Sequence, residues 1–288
     1  MKGFCRVISV ILALVMLLSL AACGKAPEQY EETDSGLIPY KTIDGGELSL
    51  ELLYPTNRMS RKNPTVIVLH GGGWVSGSHE DFFREFEPLI TELRENGVTV
   101  VGVDYRYALD GLSVRDCIDD CEDALEFLRT HAAQYDIDKN NIGVIGYSAG
   151  AHLALMTAIE TKDAVKCCVS MSGPTVLSSG HTSDYYSETL AYYCDIALAE
   201  LDAAKRAKIG PIARLNKRCK SEFLMVNGLA DDVVPAAHAE AFCREAESLR
   251  LNAGLLTVEG LTHSYASYVE FETLCGKIAA YLSEQFAK

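Results

Sequence analysis

The chain has 288 residues, with 26 Lys plus Arg against 40 Asp plus Glu and a formal net charge of −14. Its apolar fraction of 48 % is that of an ordinary globular protein and excludes general disorder. The acidic balance supplies no basic stripe for a phosphate backbone, so no nucleic-acid partner is expected. Length alone would allow two domains, but the motifs below place their chemistry in one.

The first residues stand apart from the fold. Lys2 and Arg6 make a short basic start, and residues 7–20 form an apolar run. A spanning helix needs about 20 apolar residues, whereas an export-signal core needs roughly 7 to 15, so the run reads as an export signal. It ends in Leu20-Ala21-Ala22-Cys23-Gly24, which resembles the lipobox of bacterial lipoproteins. That resemblance implies cleavage before Cys23, a diacylglyceryl group on its sulfur, and a place in the bacterial cell envelope outside the cytoplasm. Two acyl chains suffice for stable anchoring where one is marginal. Residues 1–22 are then a lipoprotein signal peptide, and their loss takes the net charge to −16. Residues 23–39 are polar, acidic and aperiodic, as a tether would be, and the structured domain is expected over 40–288, beginning near Tyr40.

Of ten cysteines, Cys5 leaves with the signal and Cys23 carries lipid, so eight remain. An even number in an exported protein invites disulfides. The spacings speak against them, because Cys117 and Cys121 are i,i+4 on one helix and Cys167-Cys168 are adjacent in one strand. Free, buried thiols are expected. No metal-binding spacing and no cofactor motif is visible.

From residue 48 onward, strands and helices alternate. Residues 48–53 alternate apolar and polar after an Asp44-Gly45-Gly46 turn, as a half-exposed strand does. Continuous β-branched or apolar runs at 65–69, 98–103, 142–145, 165–171, 223–226 and 255–258 read as strands buried on both faces. Helical patterns lie between and after them at 82–96, 114–134, 236–251 and 266–286. This rhythm predicts an α/β fold, a mostly parallel central sheet with helices on both faces. Ligands of such sheets sit beyond the carboxyl ends of the strands. Residues 174–221 break the rhythm with Tyr185, Tyr186, Tyr192 and Tyr193 and a helical stretch at 198–208, and are expected to form a lid-like insertion.

Three loops after strands carry chemistry. Gly146-Tyr147-Ser148-Ala149-Gly150 sits between a buried strand and a helix, the context a G-x-S-x-G nucleophile turn requires. His70-Gly71-Gly72-Gly73-Trp74 exposes backbone N–H groups that can hold a developing oxyanion. A Gly-rich loop can also cradle phosphate, but no Lys-Ser/Thr pair follows. His70 reads as a brace for its loop, and Trp74 and Tyr147 as candidates for the substrate pocket.

HGGGW followed by GYSAG, with Val103-Asp104-Tyr105-Arg106 between, resembles the α/β-hydrolase superfamily. More narrowly, it is similar to the esterase branch of hormone-sensitive lipase and of bacterial acetyl-xylan and feruloyl esterases. The resemblance implies the chain order nucleophile, acid, base. Asn227-Gly228-Leu229-Ala230-Asp231-Asp232-Val233-Val234-Pro235 resembles the family's G-x-x-D-x-V-V-P loop, although Asn227 stands where the family often has His. Aligned on Val-Val-Pro, the acid is Asp231 and Asp232 a solvated neighbour. Gly260-Leu261-Thr262-His263 follows the last strand and supplies the base. Ser148, Asp231 and His263 are thus the expected triad, with N–H groups of Gly72, Gly73 and Ala149 as the oxyanion hole. His79, His131, His152, His181 and His238 have no such placement and are expected to be structural or solvated.

These features together imply a lipid-anchored serine esterase acting on short acyl or aryl esters, acetyl and feruloyl groups on glycans among them. Two alternatives remain open. A serine peptidase of the prolyl-oligopeptidase type shares fold and triad order, but usually carries an N-terminal propeller for which about 24 residues before residue 48 give no room. A non-catalytic binding lipoprotein would require a missing triad member.

Overall fold

The computed structural model of the protein describes residues 35–57, 62–177, 185 and 187–288. The leader, Cys23, most of the expected tether, Tyr186 and His181 lie outside them. Eight strands, β1 (Ser35–Ile43), β2 (Gly46–Leu53), β3 (Asn63–Leu69), β4 (Thr99–Val103), β5 (Ile137–Tyr147), β6 (Cys167–Met171), β7 (Glu222–Gly228) and β8 (Ala253–Val258), form one sheet in the order 1-2-4-3-5-6-7-8. The β1–β2 and β2–β4 pairings are antiparallel, and all others are parallel. This is the expected α/β architecture.

The strand residues alternate between two cores. Ile67, Leu69, Val101 and Val103 join α3 (Val114–Thr130) and α4 (Ala149–Glu160) on one face. Val66, Val68 and Val100 join α1 (His79–Glu85), α2 (Glu87–Glu95) and the C-terminal helix on the other. Because both faces are covered, the central strands are apolar throughout, which is why they read as continuous runs.

The structure moves several expected boundaries. Strand β1 begins at Ser35, upstream of Tyr40, so the end of the supposed tether belongs to the sheet. Its register shifts between Ser35 and Ile38 and between Pro39 and Lys41, irregularities that hide the alternation a strand normally shows. The helix expected over 82–96 is two helices that part at Phe86, with Pro88 in the first turn of α2. In the 174–221 insertion the helices are α5 (Glu188–Ala197), α6 (Ala203–Ile209) and α7 (Pro211–Arg214), not one segment over 198–208. Asp202 caps α6 by accepting from the Lys205 N–H at 2.9 Å, so the chain restarts a helix there. Helix α8 (Ala237–Leu249) follows β7, and α9 (Phe271–Ala287) closes the chain after a short 3-10 turn at Tyr265–Ser267.

Fully buried Asp120 on α3 ties the antiparallel edge to the helix layer, accepting from Lys41 Nζ at 2.6 Å and from Arg106 Nε and Nη2 at 2.8 Å. Two cations and good geometry offset the cost of burying that carboxylate. The eight cysteines among the described residues are free, as their spacings imply, and all but Cys243 are buried. Among the described residues no helix is long and apolar enough to cross a membrane.

Candidate active site

The parallel register pairs Leu69 with Gly146, Tyr147 with Met171 and Gly228 with Val258, so the loops after β3, β5, β6, β7 and β8 leave the sheet at one edge. Ser148 stands in the turn between β5 and α4 with φ 55° and ψ −120°, a conformation that costs a non-glycine residue of order 1–3 kcal/mol. The turn is too tight for side chains on its flanks. A Cβ on Gly146 would lie 2.1 Å from the Gly150 carbonyl oxygen, and one on Gly150 would lie 2.1 Å from that of Leu69. The strain is held by Ser148 N–H donating to Met171 O at 2.8 Å.

Three expected residues meet here. Ser148 Oγ lies 3.0 Å from His263 Nε2, and His263 Nδ1 lies 3.0 Å from both carboxylate oxygens of Asp231. With Nδ1–H donating to Asp231, Nε2 is left as the acceptor for the Ser148 hydroxyl. Asp231 Oδ1 also accepts from the N–H groups of Val233 at 3.0 Å and Val234 at 2.8 Å. Burial alone would raise the Asp231 pKa. The hydrogen bond and charge of His263, with the bonds from Ser172 and Val234, outweigh it and hold the carboxylate below its ordinary range. Asp232 points to solvent, and Glu259 is likewise exposed.

Gly72 and Gly73 take left-handed backbones, φ 106° and 61°, and Ala149 opens α4. Among the described residues the N–H groups of Gly72, Gly73 and Ala149 have no hydrogen-bond acceptor, as an oxyanion cradle requires. The ring of Tyr193 on α5 lies against Gly73, where a Cβ would come within 2.2 Å of it. The insertion therefore packs directly on the oxyanion loop.

The two pocket candidates part ways. Tyr147 is half-buried, borders a cleft of about 410 Å³ with Gly71 and Gly72, and donates from its hydroxyl to the His263 carbonyl at 2.6 Å. Trp74 is in the core. It is 1 % exposed, with a left-handed backbone at φ 64°, and its indole N–H donates to His152 Nδ1 at 3.2 Å. His152 in turn donates from Nε2 to Ile209 O at 2.7 Å, joining the oxyanion loop to the insertion. Burial pushes the His152 pKa down to about 4, so this link is neutral.

His70 stacks on Tyr105 with centroids 4.1 Å apart and donates from Nδ1 to Gly71 O, the expected bracing role. His79 is held between Asp104 at 2.9 Å and Glu51 at 3.0 Å, and His238 accepts from the Thr175 N–H at 3.0 Å. The motifs did not point to Ser172. Its hydroxyl donates to Asp231 Oδ2 at 2.6 Å from a backbone at φ 52°. Its place, directly after β6 on the carboxyl edge, was the available signal.

The mixed sheet, the strained serine after β5 and the acid and histidine after β7 and β8 define an α/β-hydrolase of the esterase branch. The BD-FAE family model matches residues 50–245. The chain belongs to that family.

A protein of Arabidopsis thaliana named as a probable isoprenylcysteine alpha-carbonyl methylesterase is 26 % identical over 235 residues, covering 75 % of this chain and 48 % of that protein. An arylesterase of Saccharolobus solfataricus is 33 % identical over 123 residues, covering 42 % of this chain and 38 % of that one. The chain spans about half the length, or less, of these curated relatives. Two solved structures share the fold. A truncated carbohydrate esterase from gut microbiota superposes with a TM-score of 0.73 at 19 % identity, covering 92 % of this chain and all of that one. A thermostable carboxylesterase cloned from a metagenomic library does so with 0.74 at 20 % identity, covering 89 % and 91 %.

Proposed function

We propose that the protein is a serine carboxylesterase that cleaves short acyl or aryl esters, held by lipid on Cys23 at the outer side of a bacterial membrane. The observation that carries the reading is the unbroken chain from Ser148 Oγ through His263 to Asp231, each link 3.0 Å. The ester-cleaving names of the relatives support the reaction class, and the lipobox-like Leu20–Cys23 segment supports the anchor.

Each group acts according to its chemistry. A serine hydroxyl is a poor nucleophile at neutral pH, so His263 Nε2 takes its proton as Oγ attacks the ester carbonyl carbon. Asp231 fixes the Nδ1–H tautomer and stabilises the imidazolium that forms. The negative oxygen of the tetrahedral species falls to the N–H groups of Gly72, Gly73 and Ala149, where one lost donor typically costs ~10²–10³ in rate. The C–O bond to the alcohol then breaks, and His263 returns the proton to the departing alkoxide. Water, deprotonated by the same His263, attacks the acyl-enzyme, releasing the acid and restoring Ser148.

The test is hydrolysis of a p-nitrophenyl acyl series beside acetylated and feruloylated xylan and aminoacyl anilides, with fluorophosphonate labelling of the intact protein. Ester turnover, labelling at Ser148 and a fall of at least about a thousandfold in Ser148→Ala are expected. Anilide turnover without ester turnover would overturn the reading, as would labelling that survives in Ser148→Ala.

A further inference from the structure

Beside the triad lies a carboxylate that the proposed chemistry leaves unused. Glu85, the last residue of α1, borders the cleft of about 410 Å³ together with His70, Ser76, Asp81 and Tyr147. Among the described residues it has neither a hydrogen-bond nor an ion-pair partner, although it is largely withdrawn from solvent. Asp81, its acidic neighbour, is already engaged by Arg84 and by the Ser78 hydroxyl. Glu85 is therefore the uncompensated charge of this cleft. Glu85 shares this cleft with Tyr147, whose ring faces that of His263, so it lies on the imidazole's side of the site; burial raises its pKa.

That side has a defined chemical meaning. If His263 protonates the departing oxygen, the alcohol half of the ester must lie next to His263, and the acyl half must point elsewhere. Tyr147, whose hydroxyl is committed to the His263 carbonyl, lines the cleft with Glu85 and faces the imidazole, with ring centroids of Tyr147 and His263 5.1 Å apart. The side-chain donors of the cleft are spent: Ser76 Oγ donates to Gly72 O at 3.0 Å, and His70 Nδ1 to Gly71 O at 2.8 Å. One side-chain acceptor is left over, since Glu85 is unmet; the Nε2 of His70 also has no partner among the described residues but is shut off from the cleft by burial. A cleft whose side-chain donors are spent and whose one unmet carboxylate is an uncompensated negative charge matches a neutral, hydroxyl-bearing partner on that side and opposes an anionic one.

We infer that Glu85 is a specificity-determining residue of the leaving-alcohol subsite, accepting hydrogen bonds from hydroxyls of a neutral alcohol and repelling an alcohol that carries a carboxylate. This rests on the serine-esterase reading, and Ser148→Ala is run in parallel so that the two fail separately.

The test holds the acyl group constant and varies the alcohol. Phenyl acetates with para hydrogen, hydroxymethyl, carboxylate or trimethylammonio groups are hydrolysed by wild type and Glu85→Gln, and each kcat/KM is divided by that of unsubstituted phenyl acetate with the same enzyme. The ratio cancels any general effect of the substitution. In Glu85→Gln the relative kcat/KM of the carboxylate ester should rise about tenfold, and that of the hydroxymethyl ester should fall about fivefold, the scale of one screened charge and one charge-assisted hydrogen bond. Glu85→Lys should carry the carboxylate ratio further in the same direction. Ratios that stay within twofold of wild type would overturn the inference. A loss confined to the trimethylammonio ester would also overturn it, by making the subsite a cation site. Hydrolysis that survives in Ser148→Ala would instead refute the serine-esterase reading beneath it.

Discussion

The Ser172 hydroxyl gives the sharpest quantitative test of how the acid is held. It donates to Asp231 Oδ2 at 2.6 Å, and the Asp231 side chain it meets is fully buried. A hydrogen bond to a charged group contributes about 1.5–3 kcal/mol, so Ser172→Ala should cost about 2 kcal/mol. For a domain of this size that is a fall in Tm of roughly 4–8 °C. Asp231 keeps His263 and the two backbone N–H donors, so activity should fall by only about tenfold, through looser positioning of the imidazole. The pH signature has a definite sign. A carboxylate held below its ordinary pKa contributes stability that is present above the unfolded value and lost as pH falls through the folded one. Removing a donor raises the folded value, so acid unfolding of Ser172→Ala should begin at a higher pH than in wild type. Ser172→Gly is the control for backbone strain. It loses the same hydroxyl but relieves φ 52°, and should recover about 1 kcal/mol relative to Ser172→Ala. Thermal melts at neutral pH, acid titrations and kcat/KM measure all three. A Ser172→Ala protein with unchanged Tm and unchanged acid midpoint would refute the claim that this hydroxyl holds Asp231.

Asp231→Asn should lower kcat by about 10⁴, whereas exposed Asp232→Asn should stay within about fivefold of wild type; ester kinetics on both variants decide it. His79 lies between Asp104 and Glu51, and although burial would lower its pKa, their bonds and charges raise it. Its contribution should therefore be complete below about pH 6.5 and vanish as pH rises through the raised value, so the Tm gap between wild type and His79→Gln should be widest below about pH 6.5 and narrow as pH rises above it. A gap that widens with pH would contradict that sign. Cys23→Ser should leave the membrane fraction for the soluble one with its turnover of soluble esters intact, as fractionation and assay of each fraction would show.

The meeting of Ser148, His263 and Asp231 was legible because each occupies a short loop at the end of a recognisable strand, where the chain has few ways to leave the sheet. Asp231 rather than Asp232 was legible only through the Val233-Val234-Pro235 frame. The structure supplies the reason: the N–H groups of Val233 and Val234 fold back onto the Asp231 carboxylate and turn it inward. Glu85 was not legible, because the side of α1 that meets the cleft depends on how Phe82 and Phe86 pack beneath it, information no local pattern contains. The place of Trp74 was also hidden from the sequence, for a related reason. A tryptophan after a Gly-rich loop suggests a pocket wall, but its left-handed backbone is paired with a ring that lies in the core against His152. Strand β1 was obscured by Gly36, Pro39 and the two register shifts around them, which break the period on which strand reading relies.

Ser148 and Ser172 are related in a way that neither motif nor composition expresses. Strands β5 and β6 pair Tyr147 with Met171, so the two serines are the next residues along adjacent parallel strands. Both take left-handed backbones, at φ 55° and 52°, and both are anchored one strand over, Ser148 N–H to Met171 O and Ser172 N–H to Val226 O, each at 2.8 Å. The same local break thus occurs twice in succession along the carboxyl edge of the sheet. In each case it lifts a hydroxyl toward the acid–imidazole pair, Ser148 onto His263 and Ser172 onto Asp231. The two hydroxyls differ in environment. Ser172 is fully buried and also contacts the Tyr265 hydroxyl at 3.1 Å, so its orientation is fixed; Ser148 remains partly exposed. One repeated backbone device therefore supplies both a buried hydroxyl that donates to the carboxylate and a partly exposed one within reach of the imidazole, the one that the proposed chemistry would use as nucleophile.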